Sequence, residues 1–166
     1  PAPHGPLLDE ALVSFVESGL SITLASRDER LVPSIAKASA VRVAADRRSI
    51  SVLVFASAAE GVLRDIAHCA QVAVCMSRPS TNRTLQLKGR DARAQLATPQ
   101  DVAFARASVD RLLDDLGSLG YNRTMLDGFF WRDPTDLLAV RFTPEAAFAQ
   151  TPGPQAGRPL ASGHAL

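Results

Sequence analysis

Two links in the first third of the chain decide most about its fold. SITLAS (21–26), PSIAKASAVRVAA (33–45) and SISVLVFA (49–56) are β-rich runs. They are separated only by the polar turns Arg27-Asp28-Glu29-Arg30 and Asp46-Arg47-Arg48. A parallel crossover needs about a dozen residues or more, so these strands must run antiparallel. Pro33 opens the second run, where a missing N–H is tolerated.

The same logic covers Gln71 to Leu96, two further strands joined by Pro79-Ser80-Thr81-Asn82. In the second of them, alternation puts Thr84, Gln86 and Lys88 on one face and Leu85 and Leu87 on the other. That pattern suits a solvated face over a core face. It suits equally a polar lining for a ligand cleft. LLAVRF (137–142) reads as a last strand.

Three helices interrupt the strands. Residues 6–18 place Leu8, Leu12, Phe15 and Val16 near helical spacing, with Asp9 and Glu10 in the first turn and Gly19 ending it. Ser57 reads as the N-cap of a helix to about His68. Thr98-Pro99-Gln100-Asp101 is a variant capping box opening a helix to about Leu116. About six strands against three helices give a mainly β domain with peripheral α. An antiparallel sheet of this size with thin helical cover tends to close into a barrel. One domain over 1–150 is expected, followed by a Pro/Gly-rich tail, 151–166, with no packed element of its own.

Several function classes fall away. A net charge of +1, with scattered basic residues, gives no footprint for nucleic acid. No apolar run approaches the ~20 residues of a membrane helix. Cys69 and Cys75 are too few for a disulfide framework or a zinc site, and the Asp127, Asp133 and Asp136 spacing matches no calcium loop. Residues 1–6 lack the basic-then-apolar order of a signal peptide, so a reducing cytoplasm is expected. No nucleophile elbow and no Gly-rich phosphate loop is present. No catalytic residue is assigned, including His4, His68 and His164. A protein whose cofactor carries the chemistry fits this lack. The aromatic cluster Tyr121, Phe129, Phe130 and Trp131 reads as core, as dimer interface, or as a wall for a flat ligand.

The order of these elements resembles the pyridoxamine 5'-phosphate oxidase-like family, the FMN-binding split barrels. The matching stretches are TLASRDERLVPSIA, VLRDIAHCAQVAV, RTLQLKGRDA and RFTPEAAFAQ, which together cover most of residues 10–150. The likeness is closer to the small uncharacterised members than to the biosynthetic oxidase. It implies a six-stranded antiparallel Greek-key split barrel that dimerises, with FMN at the subunit interface. Carried over position by position, it implies FMN contacts from Lys37, Ser39 and Arg42 on the strand after Pro33. It implies a phosphate site at Ala56 and Ser57, and contacts from Arg83, Thr84 and Lys88 near the RTLQLKG strand. The family's basic pair falls here on Gly61 and Val62, which cannot neutralise a phosphate, so Lys37, Arg42, Lys88 or Ser57 must supply that charge or hydrogen bond. Ala149 stands where the oxidase has a tryptophan and Arg158 loosely matches its arginine, which argues against pyridoxamine phosphate as substrate. The resemblance therefore implies an FMN-dependent oxidoreductase on an unknown small molecule. The alternatives are a flavin- or haem-binding module without turnover and a cofactor-free dimeric protein.

Overall fold

The computed structural model describes residues 8–160. The start of the first predicted helix, His4, His164 and the end of the tail lie outside the described residues. Among the described residues, nine strands form two antiparallel sheets. They are β1 (Ser21–Arg27), β2 (Pro33–Ala38), β3 (Ala40–Val43), β4 (Ile50–Phe55), β5 (Val72–Ser77), β6 (Thr84–Gly89), β7 (Arg93–Leu96), β8 (Leu137–Phe142) and β9 (Ala146–Ala149). The first sheet has the order β2-β1-β5-β6-β9 and the second β3-β4-β8-β7.

Six predicted strands become nine for a physical reason. The run 33–45 is bent at Ser39, and the run that ends at Leu96 is bent between Gly89 and Arg93. Each starts in one sheet and finishes in the other, so the two bends close the sheets into a split barrel. The in-out alternation slips by one residue at each bend, with 38–41 all buried and Arg90 and Asp91 both exposed. The small side chains of Ala38, Ser39 and Ala40 and the missing one of Gly89 hide the slip. The ninth strand comes from the C-terminal region. β9 pairs with β6, and the chain then turns back, with Ala149 N–H donating to Arg158 O at 3.0 Å and Leu160 N–H to Ala147 O at 2.8 Å. Residues 151–160 thus pack despite their Pro and Gly content. The backbone of β9 supplies the partners that local composition lacks.

The main core lies between the sheets. Leu24, Val74, Met76, Leu85 and Leu87 meet Val52, Val54, Val140 and Phe142, all at most 2% exposed. Three helices border the barrel. In α1 (Glu10–Val16), Asp9 caps the first turn by accepting from Leu12 N–H at 2.8 Å. The chain leaves it through Gly19, at φ +82, where a Cβ would sit 2.5 Å from Arg111 Cβ. α2 (Ala56–Cys69) adds Val62 and Ile66 to the core. α3 (Pro99–Ser118) covers the outer face of the second sheet through Ala105, over Ala40, Leu53, Leu137 and Ala139.

The capping box of α3 forms as read, with Thr98 Oγ1 accepting from Asp101 N–H at 3.1 Å and Asp101 Oδ2 from Thr98 N–H at 2.9 Å. Asp101 also pairs with Arg42 at 2.7 Å. Burial pushes the Asp101 carboxyl up, but the Thr98 hydrogen bonds and the Arg42 guanidinium outweigh it and hold its pKa below the usual aspartate value. A depressed carboxylate adds stability above its unfolded pKa and loses it as pH falls through the folded one. Arg42→Ala is therefore expected to raise the midpoint of acid unfolding, followed by circular dichroism. An unchanged midpoint would remove Arg42 from this anchor.

The sequence pattern misses a fourth helix, α4 (Arg123–Phe130), which buries no residue. Ion pairs hold it to α3: Arg106 to Asp127 at 2.6 Å and Arg123 to Asp110 at 2.9 Å. Its apolar and polar residues do fall on opposite sides, but the element is only 8 residues long and none of them is buried, so the periodic signal is short and has no core behind it. Among the described residues, no helix is long and apolar enough to cross a membrane.

Candidate functional site

A cleft of about 360 Å³ opens where β2 bends into β3 and α2 begins. Thr23, Lys37 and Ser39 form its floor, and Phe55 and Ala58 its end. Phe129, Phe130 and Arg132, at the end of α4 and just beyond, form its wall. The strand register explains the floor. Lys37, Thr23, Cys75, Gln86 and Phe148 are direct cross-strand neighbours from β2 to β9, so they share the outer face of the first sheet.

Lys37 Nζ donates to Ser21 Oγ at 2.9 Å and to Thr23 Oγ1 at 3.4 Å, two neutral acceptors. Lost hydration lowers its pKa from the ordinary lysine value, and the nearby Cys75 pulls weakly the other way. Burial likewise pushes the Cys75 thiol up, against a smaller downward pull from Lys37, so Cys75 is no thiolate nucleophile at neutral pH. Neither Lys37 nor Arg132 has an ion-pair partner among the described residues. Two unpaired cations beside aromatic and small apolar walls suit a flat ligand with an anionic tail. FMN has that chemistry, and Lys37, Ser39 and Arg132 are the side chains that fit it.

The start of α2 fits a phosphate less well. Ser57 is not the N-cap; Phe55 holds that position without a side-chain bond. Ser57 lies in the first turn, and Asp136 takes its donors: Ser57 N–H at 3.0 Å and Ser57 Oγ at 2.6 Å both reach Asp136 Oδ2. A carboxylate from 79 residues away thus caps the helix. Anions are favoured at a helix N-terminus, and here the chain supplies its own.

The eight residues singled out from the sequence do not converge on one place in this chain. Lys37 and Ser39 line the cleft, and Ala56 and Ser57 lie between two residues that do. Arg42 lies on the other sheet, paired with Asp101. Arg83 stacks over the Phe15 ring at 4.3 Å. Thr84 is buried, its Oγ1 2.7 Å from Ser77 Oγ and donating to Asn82 O at 2.9 Å. Lys88 sits over the Phe148 ring at 5.0 Å, in a second cleft of about 450 Å³ that also involves Ala25, Ala73 and Arg90. Of the aromatic cluster, Phe129 and Phe130 wall the first cleft. Trp131 packs edge-on against Phe55 at 5.5 Å, under Arg106, and Tyr121 stays exposed. Arg132 and Asp136 carry no sequence signal beyond lying beside that cluster. Among the described residues, no group of three His, Cys, Asp or Glu could hold a metal.

Two antiparallel sheets that share two bent strands, with a helix following β4, define a split barrel. This is the fold of the pyridoxamine 5'-phosphate oxidase-like proteins, and solved structures bear it out. HupZ from Group A Streptococcus superimposes with a TM-score of 0.54 at 12% identity, over 90% of this chain and 99% of that one. A Lactobacillus delbrueckii protein, provisionally named a pyridoxamine 5'-phosphate oxidase, gives 0.53 at 13% identity, over 86% and 93%. An FMN-binding protein from Syntrophomonas wolfei gives 0.50 at 14% identity, over 86% and 84%. At these identities the likeness is one of fold. No protein-family model matches the sequence, and no curated protein matches it.

Proposed function

We propose that this chain is a cytoplasmic, homodimeric flavoprotein that binds FMN in the cleft over Lys37 and Ser39 and acts as an oxidoreductase on a small molecule. The observation that carries this reading is the pairing of Lys37 and Arg132, both without a carboxylate partner, with the Phe129 and Phe130 wall. When bound, FMN supplies hydride or electron transfer. The chain's own residues bind and orient it. Lys37 and Arg132 neutralise the phosphate, the phenylalanines cover the ring, and Ser39 offers a hydroxyl.

The outer face of the first sheet supports dimerisation. Its side chains are small and half-exposed (Ser21, Thr23, Ala25, Ala73), and Ile35 beside them is 73% exposed. Both clefts open along this face. Lys88 lies on this same face, where a partner copy paired through it would meet the side chain.

A visible spectrum after adding FMN and desalting tests the reading. Retained flavin bands with one FMN per subunit support it, and a folded dimer that keeps none overturns it. A second reading, a binding module without turnover, is favoured by Asp136 on the α2 donors and by Gly61 and Val62 in place of a basic pair. It is distinguished by flavin that binds yet neither accepts electrons from NADH or NADPH nor reacts with oxygen.

Asp136 yields a sharper test. Its carboxylate repels a phosphate and holds the Ser57 donors that a phosphate would use. Asp136→Asn keeps an acceptor for Ser57 and removes the charge. FMN is expected to bind about tenfold more tightly to the variant, read by quenching of flavin fluorescence. Unchanged or weaker binding would put the phosphate away from α2.

A further inference from the structure

A row of charge on the second sheet has no place in the reading above. Arg42, Ser51, Arg141 and Arg93 are direct cross-strand neighbours on β3, β4, β8 and β7. They share the face that α3 covers, at the level where that cover ends. Arg42 is neutralised by Asp101. Arg93 and Arg141 are exposed and have no ion-pair partner among the described residues.

Like charges directly opposite each other destabilise an antiparallel pair. An arginine on an edge strand such as β7 has a simple use, since charge there discourages edge-to-edge association. Arg141 has no such use, because β8 lies between β4 and β7. Its guanidinium is oriented instead: Nη2 donates to Ser49 Oγ at 3.0 Å, and Ser49 is 8% exposed. The two arginines line a cleft of about 380 Å³ with Ser49, Gln95 and Thr143. One acid, Asp91, also lines it, and its carboxylate accepts from Thr143 N–H at 2.8 Å. Two arginines and one aspartate leave the cleft at +1.

We propose that Arg93 and Arg141 form a binding site for a single phosphate-type oxyanion, the dianionic group of a phosphate monoester. Two guanidinium forks match its oxygens bidentately, and its charge relieves the repulsion between them. Ser49 holds one fork in place, and the Gln95 amide and Thr143 hydroxyl add neutral hydrogen-bonding groups. One oxyanion suits the site better than a polyanion, because the chain carries a net charge of only +1 and this pair stands alone. The site lies on the other sheet from the Lys37 cleft and does not depend on flavin binding.

Isothermal titration with inorganic phosphate tests the proposal on the full chain. Saturable binding is expected, weakened about tenfold by Arg93→Gln or by Arg141→Gln and abolished in the double variant. Arg141→Lys, which keeps the charge but loses the fork, is expected to bind less tightly than the wild type. Without phosphate, the double variant is expected to melt no lower than the wild type, because it lacks the opposed charges. It is also expected to behave as the wild type in the flavin desalting test. Glycerol 3-phosphate and vesicles containing phosphatidic acid then separate a soluble ester from a lipid headgroup, with either response lost in the double variant. Phosphate binding that survives in the double variant, or no saturable binding by the wild type, overturns the proposal.

Discussion

Phe142→Ala is expected to destabilise the protein by about 3–5 kcal/mol, the usual cost of emptying a buried phenylalanine site. Domains of this kind have only about 5–15 kcal/mol in total, so this loss removes a large share of the stability. Phe142 is 2% exposed, on β8 opposite Ile50, with its ring between the two sheets. The far side of the ring rests on Gly89, where β6 ends before the bend into β7. A Cβ on Gly89 would meet Phe142 Cδ2 at 2.5 Å and Thr143 O at 2.7 Å. The glycine and the phenylalanine therefore complement each other where the barrel closes. The backbone there is held by both sheets and cannot collapse into the space left by the ring. Denaturant unfolding checks the prediction. The midpoint should fall while the slope stays constant, and a loss below about 1 kcal/mol would mean that this contact does not close the barrel. Gly89→Ala should also destabilise, by overpacking rather than by a cavity.

Lys37→Ala is expected to weaken FMN binding by about tenfold to a hundredfold in a protein that remains folded. The ammonium is held by two hydroxyls rather than by a carboxylate, so an anion meets an uncompensated charge. Its lowered pKa adds a pH signature. As pH rises through that lowered value the charge is lost, so FMN affinity should fall at a lower pH than for an ordinary lysine. In the protein without flavin, the unfolded chain holds this proton more tightly than the folded one. Stability should therefore rise with pH across the window just below the ordinary lysine pKa. Titrating flavin fluorescence at a series of pH values checks the first effect, and thermal unfolding over the same range checks the second. An alanine variant with wild-type affinity would remove Lys37 from the site.

Much of the framework was legible in the residues. Thr98 and Asp101 announce the start of α3 because both halves of a capping box lie within four residues. Leu85 and Leu87 are fully buried while Lys88 is exposed, as alternation requires. Other features left little local trace. The bends at Ser39 and after Gly89 shift the alternation by one residue where side chains are small or absent, and α4 buries none of its residues and is tied to α3 by arginine–aspartate pairs. Ser57 looks like a cap by itself, yet it lies in the first turn, where Asp136 from elsewhere in the chain accepts its donors.

The six β-rich runs, and the antiparallel direction of those joined by short turns, rest on neighbours a few residues apart, so the sequence determined them unaided. Sheet membership and the company of each polar side chain depend on tertiary contacts. Arg42 meets Asp101 across 59 residues and Ser57 meets Asp136 across 79. The juxtapositions of Lys37 with Phe129 and Arg132, and of Arg93 with Arg141, arise the same way. Such pairs are set by how the sheets close and where the helices dock. A short-range pattern carries no information about that closure, so only the tertiary structure could show which charges are paired and which stand free.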